Sequence, residues 1–175
     1  MRPAVFLDRD GTINVRAKDH EYIRSADDFR WLPGALQGML GLARAGLPLI
    51  VVSNQRGVTR GLVTRTTLAA IEARIQDALR ADGHRVEAFR YCVHDLEEHC
   101  DCRKPKPGLL RSAAREMALD LSRSWMIGDS TDDVAAGHAA GCRTILLHPA
   151  HDASERTAPS LLEAAAVVLA DRATG

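Results

Sequence analysis

Two aspartates stand two residues apart in Phe6-Leu7-Asp8-Arg9-Asp10-Gly11-Thr12, directly behind a short apolar run. Asp8 has the chemistry to ligate Mg2+ and attack phosphorus, and Asp10 to serve as general acid and base. Gly11 would let the backbone turn tightly against a phosphate. An ordinary strand ending in an Asp-Gly turn has the same residues. In Val51-Val52-Ser53-Asn54-Gln55, Ser53 offers a hydroxyl to a phosphoryl oxygen, and the backbone N–H groups beside it could do the same. Read alone, it is as well a plain strand-to-loop transition. In Arg103-Lys104-Pro105-Lys106-Pro107-Gly108, Lys104 could offset charge on a nucleophile and on a phosphoryl group in transfer. The flanking prolines suit a positioned cation, although a solvated basic loop reads the same way. In Met126-Ile127-Gly128-Asp129-Ser130, Asp129 could complete a Mg2+ site with Asp8. Alternatively Asp129 or Ser130 caps the helix that follows, with Asp133 partly structural in its first turn.

A second cluster is sulfur-rich. Cys92-Val93-His94 and Cys100-Asp101-Cys102 form two close pairs, and three cysteines with one histidine are a structural zinc set. Such a closed site would brace the loop at about 92–104 that delivers Arg103 and Lys104. A disulfide, or four unrelated side chains, is the competing reading, and His99 is a competing ligand. Cys142 lies in an apolar stretch and reads as core.

These residues need strands to carry them. Apolar runs at Ala4–Asp8, Leu47–Ser53, Ala88–Val93, Trp125–Gly128 and Thr144–Leu147 read as buried parallel strands, and Val167–Leu169 as a sixth. Helical spacing marks four helices: one from Pro33-Gly34 to Gly46, one at about Thr64 to Ala81, one after Pro107, and one from Thr131 to Ala140. The Ala-rich tail from Ala150 holds a last helix. This alternation predicts a doubly wound, mostly parallel α/β sheet in one domain, 1–175. Ligand sites in such sheets lie at the carboxyl ends of strands, where all four motifs fall.

Asp-x-Asp-Gly-Thr, Ser-Asn, Lys and Gly-Asp follow strands in that order, and from Ala4 to about Leu147 the chain resembles the haloacid dehalogenase superfamily. The resemblance implies a nucleophilic Asp8, an acid/base Asp10, and phosphoryl stabilisation by Ser53 and Lys104. It implies Mg2+ on Asp8, the Asp10 carbonyl and Asp129, with Zn2+ on Cys92, His94, Cys100 and Cys102. The cysteine pattern joined to Asp-Arg-Asp-Gly-Thr narrows the resemblance. It points to the zinc-containing heptose bisphosphate and histidinol-phosphate phosphatases, small enzymes without a large cap domain. Asp8–Asn14, His20–Ile23, Leu32–Gly34 and Ser53–Gly61 look more like the heptose enzymes. Arg9, Asp19, His20, Glu21, Tyr22, Asn54, Gln55, Arg56, Arg103 and Ser130 would then line the substrate pocket. The short loop between His94 and Cys100 is typical of histidinol-phosphate phosphatases, and its Asp95, Glu97 and Glu98 would suit an amine. Ser130 replaces a lysine often seen after this Gly-Asp, and extra residues stand around Arg16–Lys18.

Composition bounds the rest. Across 175 residues, 23 Lys and Arg balance 23 Asp and Glu, which argues against a nucleic-acid partner. No apolar run approaches the roughly 20 residues of a membrane span. The start lacks the long apolar segment of a signal peptide, so a cytoplasmic monomer acting on a small phosphate ester is expected. A zinc-braced binding module without catalysis is the reading from another class.

Overall fold

A computed structural model of the chain describes residues 1–18, 21–148 and 156–173. Six strands form one sheet in the order β3-β2-β1-β4-β5-β6. They are β1 (Val5–Leu7), β2 (Leu49–Asn54), β3 (Ala88–Cys92), β4 (Trp125–Gly128), β5 (Arg143–Leu147) and β6 (Thr157–Ala158). Every pairing is parallel. Parallel strands need crossovers, and helices supply those that link β1 through β5. The helices are α1 (Ala35–Arg44), α2 (Arg65–Arg80), α3 (Gly108–Met117), α4 (Thr131–Ala140) and α5 (Leu161–Ala173).

The apolar runs follow from burial on both faces of the sheet. On β1, Val5 and Leu7 join a core with Met39 and Leu42 of α1, Ile71, Ile75 and Leu79 of α2, and Leu161 of α5. Phe6 points the other way, into a core with Leu110 and Ala113 of α3 and Ala136 of α4. Helix starts follow local chemistry. The Thr64 side chain accepts from the Thr67 N–H at 2.9 Å, and Ser130 with Asp133 forms a capping box on α4.

One expected strand is corrected. Val167–Leu169 lies inside α5, where its side chains continue the helix's buried stripe of Leu161, Ala164, Ala165 and Val168. The sixth strand is instead the two-residue β6, which pairs with the end of β5.

Strand order reverses at β1, with β2 on one side and β4 on the other, and a crevice opens there beyond the carboxyl ends. Asp8 and Asp129 leave the two strands flanking the reversal, in register through Leu7 and Ile127. The Asp8 N–H donates to the Ile127 carbonyl at 2.9 Å.

Candidate active site

Lys104 is the centre of the crevice. Its side chain is 3% exposed, and its Nζ donates to Asp8 Oδ1 at 2.6 Å and to the Val52 carbonyl at 2.9 Å. It also pairs with Asp133 Oδ1 at 2.6 Å. Asn54 holds the lysine's backbone from both sides, accepting from its N–H at 3.1 Å and donating to its carbonyl at 3.0 Å. Asn54, expected as a substrate contact, therefore clasps β2 to the Lys104 loop.

Burial pushes the Asp8 carboxyl up to about 7, with Lys104 opposing and the Asp133 and Asp10 charges adding to the rise. Burial would lower Lys104, but the carboxylates of Asp8 and Asp133 outweigh it and hold the ammonium charged. Asp10 behaves in the opposite way to Asp8. Burial would raise it, yet Arg9, Asn14 and Gln55 hold it ionised below the usual range. Arg9 grips both Asp10 oxygens, at 3.0 and 2.8 Å. Asn14 Nδ2 and Gln55 Nε2 donate at 2.9 and 2.7 Å. Gln55 also donates to Ser53 Oγ at 3.0 Å. Arg9 is 1% exposed.

Two glycines set the approach of the carboxylates. Gly11 sits at φ +96, and a Cβ there would fall 2.0 Å from Asp129 Oδ2. A Cβ on Gly128 would fall 2.3 Å from the Asp133 carboxylate. Carboxylate oxygens of Asp8, Asp129 and Asp133 gather within 4.8 Å of one another. Hard oxygen donors at this spacing fit Mg2+. Ser130 and Asp133 also cap α4: the Asp133 Oδ2 accepts from the Ser130 N–H at 3.1 Å and hydroxyl at 2.6 Å.

The cysteine cluster comes together as spacing predicted. Cys92 Sγ lies 3.5 Å from Cys100 Sγ and 3.6 Å from His94 Nδ1. Cys102 Sγ lies 3.6 Å from Cys100 Sγ and 3.2 Å from His94 Nδ1. Zn–S bonds of about 2.3 Å in a tetrahedron put sulfurs roughly 3.8 Å apart. These edges therefore fit zinc, and all four cysteines are free. Burial and the neighbouring thiols push Cys102 up to about 12, a penalty that a bound cation reverses. His99 is not among the four; it ends the short turn 96–98 with φ 46.

Asp8, Asp10, Ser53, Asn54, Lys104 and Ser130 line a cavity of about 260 Å³. Arg9, Glu21, Tyr22 and Gln55 line an adjoining cavity of about 200 Å³. Burial would raise the Tyr22 hydroxyl, but the Arg56 and Arg60 guanidiniums beside it bring it below its usual value. Arg103 Nη1 donates to the His94 carbonyl at 3.4 Å. Asp19 and His20 lie outside the described residues. Sequence reasoning missed three participants: Asn14 on Asp10, the Asp133–Lys104 pair, and Arg16 on Asp129 at 3.0 Å. Only Asn14 left a signal, standing in the Asp8–Asn14 segment. A larger cleft of about 590 Å³ opens at the opposite end of the sheet, but its Arg80 and Arg85 are already paired with Asp77 and Glu87.

A parallel sheet presenting two strand-end aspartates to a buried lysine defines a hydrolase of the haloacid dehalogenase class. A family profile described as HAD-hydrolase-like matches residues 101–171. The D-glycero-beta-D-manno-heptose-1,7-bisphosphate 7-phosphatase of Pseudomonas aeruginosa is 37% identical over 83% of this chain and 81% of its own. That of Escherichia coli K12 is 37% identical over 83% and 78%. The crystal structure of D,D-heptose 1,7-bisphosphate phosphatase from B. bronchiseptica, complexed with magnesium and phosphate, superposes with a TM-score of 0.87. It is 32% identical and covers 98% of this chain and 99% of that one. The chain belongs to the D-glycero-beta-D-manno-heptose-1,7-bisphosphate 7-phosphatase family.

Proposed function

We propose that this chain removes the 7-phosphate of D-glycero-D-manno-heptose 1,7-bisphosphate through an aspartyl-phosphate on Asp8. The observation that carries the reading is Lys104 Nζ, buried and held 2.6 Å from both Asp8 and Asp133. A cation fixed there favours ionised Asp8 and the extra charge of a transferring phosphoryl group. Asp8 attacks phosphorus and the bond to the sugar oxygen breaks. Asp10 gives that oxygen a proton. Water then attacks the aspartyl-phosphate, returns a proton to Asp10, and frees phosphate and Asp8.

Arg9, Asn14 and Gln55 hold Asp10 in its base form, ready for the water step. A neutral carboxyl keeps little of its attraction to Arg9, so the acid form is free to turn toward the leaving oxygen. Asp8, Asp129 and the Asp10 carbonyl would hold Mg2+, with Asp133 beside them. When bound, Mg2+ offsets charge on the phosphoryl oxygens. Cys92, His94, Cys100 and Cys102 would hold Zn2+, bracing the loop at about 92–104 in a single domain.

The second phosphate needs cations beyond Lys104. Tyr22 lines the adjoining cavity, and the Arg56 guanidinium stands beside its hydroxyl. Histidinol phosphate would instead need free carboxylates in the short loop. Two of those three are occupied: Asp95 pairs with Arg60 at 2.9 Å, and Glu98 accepts from the Asp95 N–H at 2.7 Å. Four free cysteines suit the reducing cytoplasm, where we place the enzyme as a monomer.

The test is phosphate release with Mg2+ from the two substrates side by side, read as kcat/KM. A hundredfold preference for the bisphosphate, about 2.7 kcal/mol at the transition state, is the expected result. A preference for histidinol phosphate overturns the substrate assignment. Turnover unaffected by Asp8→Asn would overturn the aspartyl-phosphate on Asp8, and no phosphate release by wild type from either substrate would favour a zinc-braced binding module.

A further inference from the structure

Arg16 belongs to none of the four catalytic motifs, yet it reaches two of their groups. Its Nη2 lies 3.0 Å from Asp129 Oδ1 and 2.9 Å from Asp129 Oδ2. Its Nε lies 3.4 Å from the Asp10 carbonyl oxygen. Among the described residues these are its hydrogen-bond partners. The guanidinium thus ties the end of β1 to the end of β4. It does so through the carboxylate and the carbonyl that would ligate Mg2+.

Mg2+ draws its ligands in to about 2.0–2.1 Å and demands near-octahedral geometry. A guanidinium on both Asp129 oxygens spends part of their charge, and two positive charges at one carboxylate repel, so the two cations weaken each other there. The Arg16 side chain is 55% exposed, so it can leave without opening the core. Gly11 leaves room for Asp129 at the end of β1, because the carboxylate packs where a Cβ would stand.

We propose that Arg16 is an intramolecular competitor of the metal: guanidinium and Mg2+ exchange at Asp129 and the Asp10 carbonyl. The inference rests on the metal assignment of the preceding section. Once displaced, the side chain stays tethered at the mouth, since Arg16 lines both the cavity that holds Asp8 and the one that adjoins it.

The experiment is calorimetric titration of Mg2+ into the zinc-loaded protein without substrate. Wild type, Arg16→Ala and Asp129→Asn are compared at low and high salt. An exposed ion pair is worth about 0.2–1 kcal/mol, so Arg16→Ala is expected to bind Mg2+ roughly one-and-a-half to fivefold more tightly. The difference shrinks at high salt as charge is screened. In magnesium-free buffer, Arg16→Ala melts below wild type, and saturating Mg2+ removes the gap. Unchanged or weaker Mg2+ binding by Arg16→Ala overturns the inference while leaving the metal site standing. Wild-type binding by Asp129→Asn overturns the metal assignment and the inference with it, and the phosphate-release assay then judges the catalytic reading by itself.

Discussion

Replacing Lys104 with Met keeps most of its volume and removes its charge, which isolates the electrostatics of the crevice. The ammonium is 3% exposed and serves three partners: Asp8, Asp133 and the Val52 carbonyl. Breaking a buried pair by deleting one partner costs about 3–5 kcal/mol, because an uncompensated charge stays buried. One escape is open. Asp8 already sits near 7, so at neutral pH it can take up a proton at little cost. The expected loss at pH 7 is therefore at the low end, about 3 kcal/mol. It grows toward higher pH by up to about 1.4 kcal/mol per unit, as protonating Asp8 becomes harder. The sign for wild type follows the same linkage. The folded-state value of Asp8, about 7, lies above its ordinary 3.8, so the folded state binds more protons between them. Magnesium-free protein is accordingly more stable at pH 5 than at pH 8, and the Asp8 contribution is lost as pH rises through about 7. Guanidinium unfolding across that range measures both effects. Adding Asp8→Asn to Lys104→Met removes one unpaired charge and is expected to restore part of the stability, a coupling read from a double-mutant cycle. Lys104→Met with wild-type stability at pH 8 would refute the reasoning, since no buried ion triad could then exist.

Other perturbations test separate parts of the site. Lys104→Met is also expected to lower kcat by at least 100- to 1,000-fold, the usual cost of one positioned donor, measured by phosphate release. Ser130→Ala removes the α4 cap and should cost about 1 kcal/mol in denaturant unfolding. Gly128→Ala places a methyl 2.3 Å from the Asp133 carboxylate, so it should cost about 1–3 kcal/mol and lower kcat by displacing the partner of Lys104. Stripping zinc, or replacing Cys100 with Ala, should lower both melting temperature and kcat. Metal analysis should return one zinc per wild-type chain.

The fold was legible because its signals are local. Unbroken apolar runs bounded by Gly or Pro mark strands buried on two faces, and β4 and α4 fall where the residues put them. Val167 and Val168 mislead because β-branching suggests a strand, while the helical stripe from Leu161 decides. The β6 strand is two residues long, too short for any period to show. In the site, the nearest-neighbour chemistry of each motif was readable. Contacts between motifs were not. Lys104 meets Asp133 from 29 positions away, and Arg16 crosses 113 positions to Asp129, separations that no spacing rule covers. The resemblance of Ser53–Gly61 puts Asn54 in the substrate pocket, and it lines the cavity that holds Asp8. Its second role, holding the backbone of Lys104, emerges only when β2 and the loop at about 92–104 lie side by side.

The cysteine cluster has a consequence for how the short loop it encloses can vary. Cys92 and Cys102 pin both ends of the loop, and Asn54 fixes Lys104 just beyond it. Residues 95–99 hang between those anchors, and Glu97 and Leu96 stand exposed there. Their length and charge can change without moving Lys104, which Asn54 holds independently. The placement of Lys104 and the make-up of the short loop are thus set by different stretches of chain.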